Sequence, residues 1–445
     1  MFARSIRWVG SLGLVFAAQV TAHAGIAISH WQQADGAKVY FVSNPAIPMV
    51  DVRIDFDAGS RRDPAGQEGL ASAAAELSLW GLSPRNGRPR LSPTQVSAAW
   101  ADLGAQWSAF ATSDRLSYTL RTMSEPAILD KATDLAARHF SDARFEVASW
   151  ERLRSRWIAD WRDRLTRPAT VAGHAFNAHV YGMHPYGQHF SEKSLNAIQA
   201  FDIANFHSQQ LRACDAALTI VGALSKVQAT DLARRLTASL PEKADCPLKP
   251  AVPEPTPLNG SVNQQVQFGS AQAHVLLGTL GVSVQDPDLF ALTLGNHILG
   301  AGGFTSRLTQ ELREKRGLTY GVSSGFSPGR QVGDFQVSLQ TRPEQAALAL
   351  RVAQETLADF VKNGPTDEEV NAAKAHLVGG FVLRLDSNLA LRESVASMAW
   401  NGRPLDYLDT WTQRMSQITR VDILRAFQRV LGHENWVSVV VGNSP

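Results

Sequence analysis

Apolar and polar residues alternate with period two over "KVYFVSN" (38–44), "MVDVRIDFDAG" (49–59) and "RLSYTLRTM" (115–123), and again over "HVLLGTLG" (274–281), "TYGVSSGF" (319–326) and "GDFQVSLQT" (333–341). A period of two marks β-strands. Between these runs the spacing changes to that of helices in "PTQVSAAWADLGA" (93–105), "EPAILDKATDLAARHF" (125–140), "EVASWERLRSRWIADWRDRL" (146–165), "PEQAALALRVAQETLADFVKNG" (343–364) and "TDEEVNAAKAHLVGGFVLRL" (366–385). Strand runs mixed with long helices predict an α+β protein whose largely antiparallel sheets are covered by helices.

The pattern occurs twice. A shift of 220 residues carries Ile198 onto Ile418, Asp202 onto Asp422, Ile203 onto Ile423, Leu211 onto Leu431, and Val221-Gly222 onto Val441-Gly442. In both copies an Asp opens a helix, as an N-cap or first-turn acid does, and a β-branched run follows. Each half therefore ends helix then strand. Between the halves, residues 241–265 hold Pro241, Pro247, Pro250, Pro253, Pro255 and Pro257, too many for a helix or a central strand. The expected organisation is a leader over 1–24, a first domain over 25–240, a Pro-rich linker over 241–265 and a homologous second domain over 266–445.

The 445 residues are 44% hydrophobic and 19% charged, enough for a large core and more than one domain. A formal net charge of +2 gives no field that would gather nucleic acid or an anionic membrane, and neither is expected as a partner. The first residues carry Arg4 and Arg7, an apolar run from Trp8 to Val20, and Ala22-His23-Ala24 as a small-x-small cleavage site. This reads as a secretory signal peptide, since the run is short for a membrane span, and it implies export, with the periplasm as the expected destination. Cys214 and Cys246 are the two cysteines. In an oxidising compartment they either pair or stay as isolated thiols, and alone they cannot build a zinc site.

"DAGSRRDPAGQEGLA" (57–71), "YGMHPYG" (181–187), "GAGGFTSRLTQELREKRGLTYGV" (300–322) and "HENWVSVVVG" (433–442) together resemble the pitrilysin/insulinase family of zinc peptidases, in particular its short two-domain bacterial members related to mitochondrial processing peptidase. The resemblance implies two homologous α+β domains forming a half-clamshell. In that family the first helix carries His-x-x-Glu-His, two imidazoles that grip zinc on one helix face and a carboxylate that activates water. The corresponding positions here are Ser72, Ala75 and Glu76, and the position of the family's third ligand, counted back from Pro168, is Asp160. A hydroxyl does not replace imidazole for Zn²⁺, and Ala75 accepts no proton. Leu70, Ala73, Ala74 and Leu77 keep the apolar stripe of a packed helix. The resemblance is thus to a non-catalytic subunit, with no metal in this chain and zinc expected in a homologous partner.

In heterodimeric members, an Arg and a Tyr from the second domain reach substrate in the partner's site. The resemblance places them at Arg316 and Tyr320, with Gly317 ending the preceding helix, and makes Gly302, Gly303 and Phe304 part of a loop bordering a peptide chamber. A guanidinium suits peptide carbonyls and a phenol suits a developing oxyanion. The bland alternative is a solvated Arg316 and a half-buried strand tyrosine. His174, His179, His184 and His189 recur every five residues, a spacing that does not share a helix face, so no metal is expected there. Trp150, Trp157 and Trp161 form one helical stripe, expected to pack in the core. Three functions follow: a partner subunit acting on peptides, a catalytically silent scaffold, or a self-sufficient hydrolase using Glu76 and Asp160. The residues favour the first.

Overall fold

A computed structural model describes residues 25–240 and 246–442; the leader-like segment 1–24 lies outside them. The first half forms a six-stranded sheet, in which β1 (Ile28–Gln32), β2 (Lys38–Ser43), β3 (Met49–Phe56), β4 (Gln106–Ala111), β5 (Leu116–Met123) and β6 (Ala217–Gly222) lie in the order β1-β2-β6-β3-β5-β4. The second half forms a five-stranded sheet of β7 (Val262–Gln267), β8 (Ala273–Leu280), β9 (Val322–Phe326), β10 (Asp334–Thr341) and β11 (Val437–Gly442), ordered β7-β11-β8-β10-β9. Without β1 the two orders are the same. In both, the one parallel pairing is that of the last strand with the second or seventh, β2 with β6 and β7 with β11.

The internal repeat holds at atomic detail. A shift of 220 carries the limits of β6 onto those of β11 and the start of helix Ala200–Gln210 onto that of Arg420–Leu431. The two aspartates stand at the third helical position, where Asp202 accepts the N–H of Gln199 at 2.8 Å and Asp422 that of Thr419 at 2.9 Å. Such reciprocal capping satisfies donors a helix start leaves open. One boundary differs from expectation: β7 begins at Val262, inside the segment read as linker. Its alternation of Val262, Gln264 and Val266 with Asn263, Gln265 and Gln267 is mostly amide, so it carries little hydrophobic signal.

The halves are tied by exchanging equivalent helices. Helix Pro168–Tyr181 of the first half packs on β8 and β11 of the second, and helix Asn388–Trp400 of the second packs on β3 and β6 of the first. The first contact is apolar: Ala172, Phe176 and Val180 meet Leu276, Val437, Val439 and Val441. The Phe176 ring occupies the space where a Cβ on Gly278 would stand, 2.6 Å away. The reciprocal contact is ionic. Asp51, Arg53 and Asp55 on β3 are buried beneath the helix; Arg53 donates to Asp55 at 2.9 Å and pairs with Glu393, while Asp51 lies 3.1 Å from Arg121 and 3.8 Å from Arg392. Buried charge survives only when paired in this way.

The linker runs along this junction. Cys214 and Cys246 are disulfide-bonded with Cα atoms 6.1 Å apart, which settles the alternative left open by the sequence. Arg212 then donates to the Pro247 carbonyl at 2.9 Å, Lys249 to those of Asp57 and Gln210 at 2.6 and 2.9 Å, and His184 bonds the Pro253 carbonyl at 2.9 Å.

Two buried histidines set an acid limit on the fold. The Nδ1 of His139 bonds the Ser78 carbonyl at 2.8 Å and its Nε2 accepts from the Trp100 indole at 3.2 Å, an arrangement that requires the neutral ring. Burial pushes His139 down to about 4, and His207, packed on Phe145, down to about 4 as well. Both folded values lie below the ordinary histidine value of about 6.5. The unfolded chain therefore binds more protons than the folded one between those limits, so this stability is full above pH ~6.5 and is lost as pH falls toward ~4. Denaturant titrations of the folded chain between pH 7 and 4.5 are expected to show stability falling by up to about 1.4 kcal/mol per pH unit for each histidine. A flat profile over that interval would contradict the neutral assignment.

Candidate functional site

Helix Leu70–Leu77 starts at Gly69, whose φ of 110° is open to glycine and whose missing Cβ leaves 3.1 Å to Phe190. Asp63 caps it with both oxygens, accepting from Gly69 and Ala71 at 2.8 Å each. Alanine, the best helix former, then fills it. Leu70, Ala71, Ala73, Ala74, Ala75 and Leu77 are buried against the first sheet. Ala75, where a catalytic base would stand, is 1% exposed and part of the core. Glu76 turns to Arg156 on helix Val147–Arg164 and forms an ion pair, while Asp160 on that helix is exposed. Ser72 is left with a hydroxyl at the edge of a cleft.

These donors do not fit zinc. A hydrolytic site needs three strong protein ligands converging on one point. Here one candidate is a methyl, one carboxylate is already neutralised by an arginine, one hydroxyl is a poor ligand for this ion, and the exposed Asp160 carboxylate belongs to no cluster of three metal-ligating donors among the described residues. Among the described residues the cluster whose ligand atoms approach within 4.8 Å is Cys214, Asp215 and Cys246, and its sulfurs are consumed in the disulfide.

The second half presents a different surface. Helix Leu289–Asn296 continues through a π-helical turn, His297–Ala301, into the loop Gly302, Gly303 and Phe304. A short helical turn, Arg307–Thr309, and a second π-helical turn, Gln310–Glu314, follow, and Gly317 with φ of 59° ends them. The chain then passes Tyr320, two residues ahead of β9 rather than within it. Tyr320 is 84% exposed and Phe304 65% exposed. Between them lies the guanidinium of Arg313, 4.6 Å from each ring centroid, which also donates to the Tyr320 carbonyl at 2.8 Å.

Arg313 is therefore the arginine brought to Tyr320. Arg316 bonds the carboxylate of Glu311 at 2.5 Å and its backbone carbonyl at 2.8 Å. Glu314 and Lys315 separate the two arginines, and the π-helical turn Gln310–Glu314 holds Arg313 while Arg316 follows it. Spacing on an ideal helix does not reveal this. The signal available was the seven-residue interval from Arg313 to Tyr320 with a glycine between, which lets the chain fold back on itself.

The four regularly spaced histidines go to separate tasks. His174 stacks on His189 with centroids 4.5 Å apart, His179 meets Gln264 at 2.8 Å, and His184 caps the turn Pro185–Gly187. The tryptophan stripe also divides. Trp150 is buried and its indole donates to the Ile198 carbonyl at 2.9 Å, Trp157 is partly buried and stacks on Phe190 at 5.6 Å, and Trp161 leaves the core to line the cleft beside Ser72.

A two-domain α+β shell with the peptidase topology and, among the described residues, no donor set that fits zinc defines a class: the inactive type of zinc-peptidase fold. Comparison with known proteins gives the family. Residues 38–193 match the model of the insulinase family of peptidases, M16, and residues 197–377 match that of the peptidase M16 inactive domain. The crystal structure of a peptidase M16 inactive domain from Pseudomonas fluorescens superposes with a TM-score of 0.88 and 31% identity, over 94% of this chain and 98% of that one. An uncharacterized zinc protease of Streptomyces coelicolor is 30% identical over 255 residues, 56% of this chain and 54% of the relative. The fold is also that of the periplasmic protease PqqL from Escherichia coli, with a TM-score of 0.79 and 18% identity over all of this chain and 49% of that one. The chain belongs to the M16 insulinase family.

Removing the Arg313 guanidinium is expected to free both rings. Each cation–π contact at an exposed site contributes about 0.5–1 kcal/mol, so Arg313→Ala corresponds to a roughly 5–30-fold rise in local opening. Chymotryptic cleavage after Phe304 and Tyr320 in the native protein should accelerate by that factor with the global unfolding midpoint little changed. Unaltered cleavage would mean that Arg313 does not hold the two together.

Proposed function

We propose that this chain is the non-metal-binding subunit of an exported, periplasmic zinc endopeptidase, and that it acts on peptides only beside a homologous partner carrying His-x-x-Glu-His. The observation that carries the reading is the outward-facing phenol of Tyr320, held by Arg313 against Phe304 on the Gly302-Gly303 loop. A tyrosine serving only packing would be turned inward. The half-length match to PqqL supports the pairing, since that chain has room for a second unit of this size. The disulfide suits an oxidising compartment.

When bound by the partner, zinc supplies the activation of water. The residues of this chain would do the rest on its side of the chamber. Tyr320 donates a hydrogen bond to the oxygen that gains charge as the peptide carbonyl is attacked, a contribution that strengthens in the transition state. Arg313 fixes the position of that phenol. Phe304 and the glycine backbone line the path of an extended peptide, and Arg316 can offer the donors that Glu311 leaves free to peptide carbonyls.

The test is peptide turnover by the reconstituted heterodimer. Tyr320→Phe is expected to lower kcat by about 10²–10³-fold, the usual cost of losing one oxyanion donor, with KM little affected. Unchanged kcat in the Tyr320→Phe and Arg316→Ala variants would instead make the chain a silent scaffold.

A further inference from the structure

Beside Ser72, the first of the zinc-motif positions, the chain has a cleft of about 240 Å3, lined among others by Trp161, Arg164, His174, His189 and Phe190. The cationic groups around it differ in one respect. On helix Val147–Arg164, Arg156 is held by Glu76 and Arg162 by Glu192 at 2.6 Å, and just beyond it Arg167 is held by Asp163 at 2.5 Å. Arg164 has no hydrogen bond or ion pair among the described residues. His174 likewise has a ring neighbour but no hydrogen-bond partner among them.

Two acids border the same cleft, and each bonds to backbone, though Glu68 keeps one oxygen free. Asp63 spends its two oxygens on Gly69 and Ala71, and Glu68 accepts the N–H of Gly66 at 2.8 Å. Burial pushes Asp63 up to about 7, which weakens its charge near neutrality. The groups offered to a ligand include the unpaired guanidinium of Arg164, the His174 imidazole, the Ser72 and Thr170 hydroxyls, and the aromatic surfaces of Trp161 and Phe190. The volume admits one residue rather than a segment.

We propose that the cleft binds the terminal residue of a peptide through its free carboxylate, with Arg164 as the carboxylate ligand and Trp161 and Phe190 flanking the side chain. A guanidinium fork matches a carboxylate in a planar, two-pronged contact, and Arg164 presents it from the exposed rim of the cleft. The site would retain cleaved peptides by their new C-termini. It requires this chain alone, so its failure leaves the Tyr320 reading standing, and failure of that reading leaves the cleft.

Calorimetric titration of the purified full chain with a short peptide ending in phenylalanine tests it. The free-acid peptide is expected to bind, its C-terminal amide at least about tenfold more weakly, and its N-acetylated form within about twofold. Arg164→Gln should weaken the free acid by about tenfold and Arg164→Lys by less. Ser72→Phe, which fills the cleft without changing its charge, should weaken it as well. Equal binding of acid and amide, no binding of either, or a loss on N-acetylation as large as that on amidation, the mark of a free amino acid as ligand, would each overturn the proposal.

Discussion

Helix Leu70–Leu77 lies between the first sheet and helix Val147–Arg164, and the direction of its side chains decides what the protein can be. A helix in that place can aim donors at the facing helix or apolar groups at the sheet. Here both positions that would matter most are spent otherwise: Ala75 is part of the core and Glu76 is neutralised by Arg156. Ser72, the third such position on the helix, lines a cleft instead. Helix and sheet remain well packed, so the fold persists without the metal chemistry that its relatives' names describe.

The second constraint is the exchange of equivalent helices between the halves. It makes the two sheets one body, and it carries the Gly302–Phe304 loop and Tyr320 on a second half whose position is fixed by the first. The two junctions use opposite chemistry, apolar around Phe176 and ionic around Arg53, Asp55 and Glu393. An ionic junction adds little net stability, yet removing one partner leaves a buried charge exposed to no solvent. It therefore favours this docking of the halves over alternatives that would leave those charges unmatched.

Much of the fold was legible because it is written twice. The shift that aligns Ile198 with Ile418 also aligns β6 with β11 and the helices that precede them. Strands with strong alternation, β2, β3, β5, β8, β9 and β10, were visible; β1 and β7 were not, because edge strands rich in polar residues advertise no buried face, and the short β4 carries its core-facing side on Trp107 and two alanines. Alternation in β3 gave no hint that its polar face, Asp51, Arg53 and Asp55, would be buried too, since that depends on a helix more than 300 residues away, Asn388–Trp400. The loss of zinc ligands could be read directly at Ser72, Ala75 and Glu76. The contact of Arg313 with Tyr320 could not, since it depends on how the chain folds back after Gly317, and the unpaired state of Arg164 depends on where Glu76, Glu192 and Asp163 happen to reach.

The described residues hold no donor set that fits zinc, and the central claim is that the isolated chain binds none. Elemental analysis of the purified full-length protein after exposure to excess zinc and gel filtration, paired with a peptide-hydrolysis assay, measures it most directly. The account predicts no stoichiometric zinc and no chelator-sensitive hydrolysis by the isolated chain. Stoichiometric zinc together with hydrolysis that a chelator abolishes and added zinc restores would contradict it.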